Sequence, residues 1–302
     1  MSTADLAAQE KVFTEVFDME LVETLHLDAT QARTVFGIDH ETEVDGAEVR
    51  VLGTPGVEAG VVLVAFSPAS TETVRSWETR VSRDALKVID FYAPDYEGAI
   101  ARAKDLGYRV IESEASYELP EGTFREAHLW GPDNVVTAFL GGPADFFADF
   151  AQRTDGWVSE VQSISAPLTD AQPAVDFYRD VLGWEVVFEY AIDDPSFAAM
   201  VGVEELVLRS RNVGPSTREP YFGLIDYGLT EASEGTLLGR ARAPRRGLLG
   251  ALLVTDEMSS LLKRAGDAAG PPVTLDLLGR NQAVLLGTPH QVPHVVLGSH
   301  GN

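Results

Sequence analysis

The chain contains no cysteine, which excludes disulfides, thiolate metal sites and a cysteine nucleophile. It is also poor in positive charge: 23 Lys plus Arg stand against 47 Asp plus Glu, a formal charge of −24. A surface of that sign repels phosphate backbones and anionic lipid, which argues against nucleic-acid and membrane partners. No apolar run approaches the roughly 18 residues that mark a membrane span. The opening MSTADLAAQE has neither the basic nor the apolar stretch of a signal peptide, so the expected location is the cytoplasm. Low-complexity tracts are missing too. What is present is a 45% apolar share over 302 residues, enough for two ordinary domains with cores of their own.

Residues 174–187 read AVDFYRDVLGWEVV. Asp170 stands where an N-cap would accept from the first free N–H groups of a helix. Ala174, Phe177, Tyr178, Val181 and Leu182 share one helical face, Gly183 supplies a left-handed end, and WEVVFEY restarts as a strand. The unit recurs. From Asp5, ADLAAQEKVFTEVFDMELV superposes on TDAQPAVDFYRDVLGWEVV without a gap, and Gly37 lies as far beyond Asp5 as Gly202 does beyond Asp170. PDYEGAIARAKDLGYRVI around Asp95 and TDEMSSLLKRAGDAAGPPVT around Asp256 repeat the order of cap, helix, glycine and strand. GPDNVVTAFLGG at 131–142 and GTPHQVPHVVLGS at 287–299 close two of the units with equal spacing from Pro132 to Leu140 and from Pro289 to Leu297. The β-runs KVIDFYA, VQSISAPL and LLGALLV precede the last three capping aspartates, whereas too few residues precede Asp5 for a full strand. An α+β chain of four βαβββ units follows, the first lacking its opening strand. The units are expected to pair as neighbours into two domains, 1–142 and 158–302. A linking helix over 143–157 would bury Phe146, Phe147 and Phe150.

The β-run, the capping Asp170, FYRDVLGWEVV and the strand closing after GPDN resemble the glyoxalase/bleomycin-resistance/dioxygenase superfamily, the vicinal oxygen chelate fold, over nearly the whole chain. The resemblance implies cup-shaped domains and a small-molecule ligand. It does not choose a reaction, because isomerases, dioxygenases, thiol transferases and pure binders share the fold. It also implies where a metal would be held: seven residues before each capping aspartate and six after the proline of the closing turn. Imidazole and carboxylate ligands there leave positions open for substrate oxygens. In this chain those places hold Val88, Ser163, Leu249, Ala138 and Val295. No metal or other cofactor is therefore expected, and a ring-cleaving dioxygenase with two His and one Glu is disfavoured. His294, between Pro293 and Val295, would turn into the cup only if the strand bulges; otherwise it is a turn or rim histidine.

Strand alternation sets the candidates for chemistry. Asp90 and Tyr92 share a face with Val88, while Ile89 and Phe91 pack beneath a helix. A partly buried Asp90 would suit a general base and Tyr92 an oxyanion donor, unless Asp90 merely caps a loop or pairs with an arginine. In TFREAHLW, Glu126 and His128 lie on one face and Arg125 on the other. The inward face decides between an acid–base cluster with Asp90 and Tyr92 and an anion holder at Arg125. Val161, Ser163, Ser165, Leu249, Ala251 and Leu253 line the opening strands of the second domain, and Tyr221, Asp226 and Tyr227 offer polar anchors. Long connecting segments at 67–84 and 230–247 correspond between the domains. The second carries Arg240, Arg242, Arg245 and Arg246, as a lid for an anionic substrate or as a loop packed on the acidic body.

The favoured reading is a metal-independent lyase or isomerase acting by acid–base chemistry on a small, partly aromatic or hydrophobic metabolite. Asp90, Tyr92, Glu126 and His128 would carry the chemistry; Arg125, Ser163, Ser165, Tyr221, Asp226, Leu249 and His294 would bind substrate. A non-catalytic sequestering protein of the resistance type, a metalloenzyme with non-standard ligands and an oligomeric scaffold compete with it. A homodimer is compatible with each.

Overall fold

The computed structural model describes residues 1–58, 60–111, 114–230 and 235–299. The first segment runs α1 (Leu6–Val16), β1 (Glu20–Asp28), α2 (Ala29–Phe36), β2 (Gly46–Gly53) and β3 (Gly60–Ser67). The second runs β4 (Val88–Tyr92), α3 (Tyr96–Asp105), β5 (Arg109–Val110), β6 (Ala115–Leu119), β7 (Gly122–Trp130) and β8 (Val136–Gly141). A one-turn α4 (Ala144–Phe147) crosses to the third: β9 (Val161–Pro167), α5 (Gln172–Phe177), β10 (Glu185–Ile192), α6 (Pro195–Val201), β11 (Leu208–Gly214) and β12 (Tyr221–Asp226). The fourth is β13 (Ala251–Val254), α7 (Met258–Ala265), β14 (Val273–Leu277), β15 (Arg280–Leu286) and β16 (His294–Gly298). The fold is α+β, and no helix among the described residues is long and apolar enough to cross a membrane.

Local chemistry starts and stops these helices much as the repeat implied. Asp5 accepts from the Ala8 N–H at 3.0 Å and Asp95 from the Gly98 N–H at 3.1 Å, satisfying donors of the first turn. Gly37 and Gly202 end α2 and α6 with φ of 64° and 85°, so their equal spacing marks an extra helix common to the first and third segments. Two aspartates depart from expectation. Asp170 accepts from Gln172 within a turn before α5, whose N-cap is Ala171, and Asp256 pairs with Arg280 at 2.7 Å. The linking helix over 143–157 shrinks to α4.

The strands form three sheets, ordered β1-β2-β3, β13-β16-β15-β14, and a large one, β10-β11-β12-β9-β4-β8-β7-β5 with β6 on β7. At the centre of the large sheet β4 and β9 run antiparallel, with Val88 opposite Ser165, Ile89 opposite Ile164 and Asp90 opposite Ser163. The second and third segments therefore share one sheet, so strand pairing does not follow the neighbouring halves 1–142 and 158–302. Every residue of β4 is buried, and a strand covered on both faces must satisfy its backbone along both edges.

The first and fourth segments meet elsewhere: α2 packs on β15, and a Cβ on Gly37 would lie 2.6 Å from Leu285 Cδ2. Ser2 bridges them. It pairs parallel with Val64 of β3 and antiparallel with Gly247, just as β4 pairs parallel with β8 and antiparallel with β9. The opening run of the first segment is thus present as a short extended stretch at Met1–Thr3, where Thr3 N–H donates to Val64 and Val64 N–H to Met1.

Aromatic stacking ties helices to the back of the large sheet, with Phe17 4.1 Å from Phe91 and 5.4 Å from Phe139, centroid to centroid. The two long connectors strap one another. Arg245 pairs with Glu72 at 2.6 Å, Arg246 with Asp133 at 2.8 Å, and Arg240 donates to the Thr73 carbonyl; residues 231–234 of this segment lie outside the described residues. These arginines hold structure together. At the start of β13 the backbone of Gly250 runs against the Pro293 carbonyl, so a Cβ there meets a rigid atom. Gly250→Ala is expected to destabilise the protein by about 1–3 kcal/mol, whereas Gly287→Ala, with its nearest neighbour 3.7 Å away, stays within about 0.5 kcal/mol of the parent; denaturant midpoints for the two variants check this.

Candidate active site

Four strands deliver polar side chains to one face of the large sheet. Across β12, β9, β4, β8 and β7 the register aligns Tyr221, Ser163, Asp90, Ala138 and His128 as successive partners. Alternation along β4 sends Val88 and Asp90 to this face and Ile89 and Phe91 to the other. Along β7 it sends Phe124, Glu126 and His128 inward, so the acid–base face of that strand is the one the cavity receives.

The result is a cavity of about 70 Å³ whose polar wall is Lys87, Asp90, Glu126, His128, Ser163 and Ser165. Ser163 Oγ donates to Asp90 Oδ2 at 2.5 Å and Ser165 Oγ to the same oxygen at 3.2 Å. His128 Nε2 meets Glu126 Oε1 at 2.8 Å. Lys87 Nζ donates to the Tyr227 hydroxyl at 2.7 Å. Aromatic side chains close the other side: Tyr117, Phe124, Tyr190 and Phe197, with Phe146 and Phe147 from the crossing segment. Phe146 and Phe150 pack on Phe188, so that segment forms a roof.

Burial sets the protonation states. Asp90 is 5% exposed, and burial first, then the nearby Glu126 charge, pushes its pKa up to about 8 against the opposing Ser163, Ser165 and Lys87. Lys87 is driven down to about 7 by burial and by the Arg75 cation, with Glu126 and Asp90 opposing. Burial also lowers His128, partly offset by its bond to Glu126. At neutral pH Asp90 is therefore mostly a carboxylic acid and His128 a neutral imidazole.

The expected site residues divide. Asp90, Glu126, His128, Ser163 and Ser165 come together, and Tyr221 borders the same cavity. Tyr92 shares the face of Asp90, but its ring stacks on Phe147 at 3.9 Å and belongs to the apolar packing beside the roof. Arg125 borders the cavity, yet its guanidinium lies over Tyr96 and pairs with Glu97 at 2.6 Å, so it holds no anion there. Asp226 is exposed at the end of β12 and accepts from the Gly228 N–H. His294 is fully buried on regular β16, paired to Ala251 and Leu286, with no bulge to turn it. Its Nε2 meets the Tyr178 hydroxyl at 2.9 Å, and burial lowers its pKa to about 3, so it is a neutral core histidine rather than a substrate group.

Leu249 lines a second cavity of about 440 Å³, walled by Leu25, Leu27, Val49 and Val51 of the first segment, Ala251 and Leu253 of the fourth, and Ile89, Ile164 and Phe222 from the back of the large sheet. Ser163 and Ser165 thus part company with Leu249, Ala251 and Leu253, which the sequence placed in one cup. Lys87 and Arg75 were missed. A lysine opening a β-run looks solvated, and nothing local reveals that both cations are buried.

The metal that this fold can carry does not fit these residues. The ligand places hold Val88, Ala138 and Ser163, whose hydroxyl is engaged by Asp90, and among the described residues no three His, Asp or Glu groups are placed to hold an ion.

No family model and no curated protein matches the sequence. Solved structures match along the whole chain. Glyoxalase I from Zea mays aligns at 15% identity and a TM-score of 0.61, covering 98% of this chain and 89% of that one. A putative dioxygenase from Bacillus subtilis aligns at 11% identity and a TM-score of 0.55, covering 100% and 84%. The chain has the fold of these structures, the vicinal oxygen chelate fold, along its whole length.

The Asp90 shift has a measurable consequence. Its pKa rises on folding from the ordinary 3.8 to about 8, so the folded protein keeps a proton that the unfolded chain releases. That contribution is fully present below pH 3.8 and is lost as pH climbs to about 8. Lys87, depressed from 10.5 to about 7, acts oppositely: its contribution is present above pH 10.5 and lost as pH falls to about 7. Asp90→Asn removes the first effect and takes away an acid that opposes the lowering of Lys87, two changes of the same sign, so the stability of the variant relative to the parent is expected to rise across the acid-to-neutral range; a flat difference in urea titrations contradicts the shift.

Proposed function

We propose that the polar cavity is the active centre of a lyase or isomerase that moves protons, without a metal, on a small, partly aromatic or hydrophobic metabolite. In this reading the chain is four βαβββ units, with the second and third forming the reacting cup. The observation that carries it is the enclosure of Asp90, Glu126 and His128 in one buried cavity with an acid that is neutral and an imidazole that is unprotonated at the same pH.

Glu126 accepts from one ring nitrogen of His128, which fixes the tautomer and leaves Nδ1 to take a proton from a substrate C–H or O–H. Asp90, held by Ser163 and Ser165, returns a proton to the oxygen that becomes negative. This reverses the sequence expectation, in which Asp90 was the base. Tyr221, paired with Ser163 across the strands, lines the cavity in place of Tyr92. The aromatic roof favours a substrate with a flat or apolar part. A cavity of about 70 Å³ is well below the few hundred Å³ usual for metabolite sites, so substrate enters when the Phe146–Phe150 segment lifts.

A second reading, binding without chemistry, draws on the apolar cavity of about 440 Å³. Proton exchange separates the two. A panel of small ketones, hydroxyketones and β-dicarbonyl compounds is incubated with the protein in heavy water and followed by NMR. Exchange or conversion of at least one member is expected, slowed about 10²-fold or more by His128→Asn with binding of that compound retained. Tight binding by calorimetry with no exchange in the parent protein overturns the catalytic reading.

A further inference from the structure

Lys87 remains unexplained by proton transfer alone. It immediately precedes β4 at 4% exposure and lines the polar cavity together with Asp90, Glu126 and His128. A buried lysine is ordinarily neutralised by a carboxylate, yet among the described residues none lies within ion-pair distance of Nζ; its partner is the Tyr227 hydroxyl at 2.7 Å, with the Tyr227 ring centroid 4.9 Å away. The charged groups that act on it are the cations Arg75 and Arg80 and the acids Glu126 and Asp90. Arg75 is pinned, donating to the carbonyls of Thr79, Ser82 and Ala85 at 2.6, 2.8 and 3.0 Å, so its charge cannot move away. An amine desolvated beside a fixed cation is shifted toward the free base, the form in which lysine is a nucleophile at neutral pH.

We infer that Lys87 captures the carbonyl carbon of the substrate as a Schiff base, which makes the substrate an aldehyde or ketone bearing an aromatic or apolar group. The inference rests on the polar cavity being the active centre. The amine lone pair forms the C–N bond while the carbonyl π pair moves to oxygen, which takes the proton of Asp90. The nitrogen then loses a proton to His128; that proton passes to the hydroxyl as the C–O bond breaks, and water leaves. The iminium that remains is positive and the Asp90 carboxylate negative, so the pair offsets in a site that tolerates neither charge alone. An adjacent C–H is thereby acidified. His128, neutral again, takes that proton, the C–H pair becomes a C=C bond, and the iminium π pair returns to nitrogen as an enamine.

The chain has four lysines, and Lys11, Lys104 and Lys263 are exposed, so the protein carries its own controls. Formaldehyde, small enough to enter beneath the roof, with cyanoborohydride at neutral pH methylates whichever amines form an iminium, and peptide mass spectrometry apportions the label. Labelling of Lys87 at least about tenfold faster than each surface lysine is expected, because far more of it is free base, and Lys87→Arg abolishes that fast phase. Labelling of Lys87 no faster than the other three overturns the inference, and the measurement is made on the parent protein whether or not the variant folds. Exchange that survives in a protein whose Lys87 does not label sinks the Schiff base alone, whereas absence of both sinks the catalytic reading with it.

Discussion

The pairing of β4 with β9 is the contact on which the site depends. It is formed between strands about 70 residues apart in the chain, and it places Asp90 opposite Ser163, so that both serine hydroxyls of β9 reach one carboxyl oxygen. Burying a carboxyl group is costly unless its oxygens are hydrogen-bonded or it stays neutral; here both occur. The same pairing aligns Ile89 with Ile164 on the opposite face, where they wall the apolar cavity. One seam therefore separates a small polar cavity from a large apolar one. A change that shifted its register by one residue would exchange the two surfaces.

The two halves of the assembly repeat this plan with different side chains. Met1–Thr3 stands between β3 and Gly247 in the place that the β4 and β9 seam occupies in the large sheet. Where the seam of the large sheet offers Asp90, Ser163 and Ser165, the fourth segment offers Leu249, Ala251 and Leu253. One plan thus yields a cavity with an ionisable wall and another whose wall is mostly apolar. The fold is shared with a glyoxalase and with a putative dioxygenase, but the chemistry must come from the residues. In this chain the ionisable groups lie beside the places a metal would use: Asp90 two residues along from Val88, and His128 directly across from Ala138.

Much of this was legible in the sequence because it is local. The capping aspartates, the αL glycines and the alternation of KVIDFYA and TFREAHLW each depend on neighbours within a few residues. They led to α1, α3 and the inward face of β4. The equal spacing of Gly37 and Gly202 showed that the register persists, and the structure adds that each ends a second helix absent from the βαβββ expectation. What was not legible depends on distant contact. Which segments pair cannot be read from periodicity, since every opening strand presents the same alternation. His294 could be taken for a rim or a cavity residue until Tyr178, 116 positions away, was seen to occupy its nitrogen. Arg245 and Arg246 resembled a charged lid because Glu72 and Asp133 lie more than 100 residues upstream. Lys87 was overlooked because only the tertiary structure buries it beside Arg75.

Protonation of Asp90 at neutral pH is the claim on which the acid–base assignment turns. The most direct test is a pH titration of its side-chain carboxyl carbon by NMR in protein labelled at aspartate, assigned with Asp90→Asn. The account requires a protonated chemical shift at pH 7 and ionisation near pH 8, where the buried carboxyl is placed. A carboxyl carbon already fully ionised at pH 6 would contradict it, and would return Asp90 to the role of an ordinary paired carboxylate.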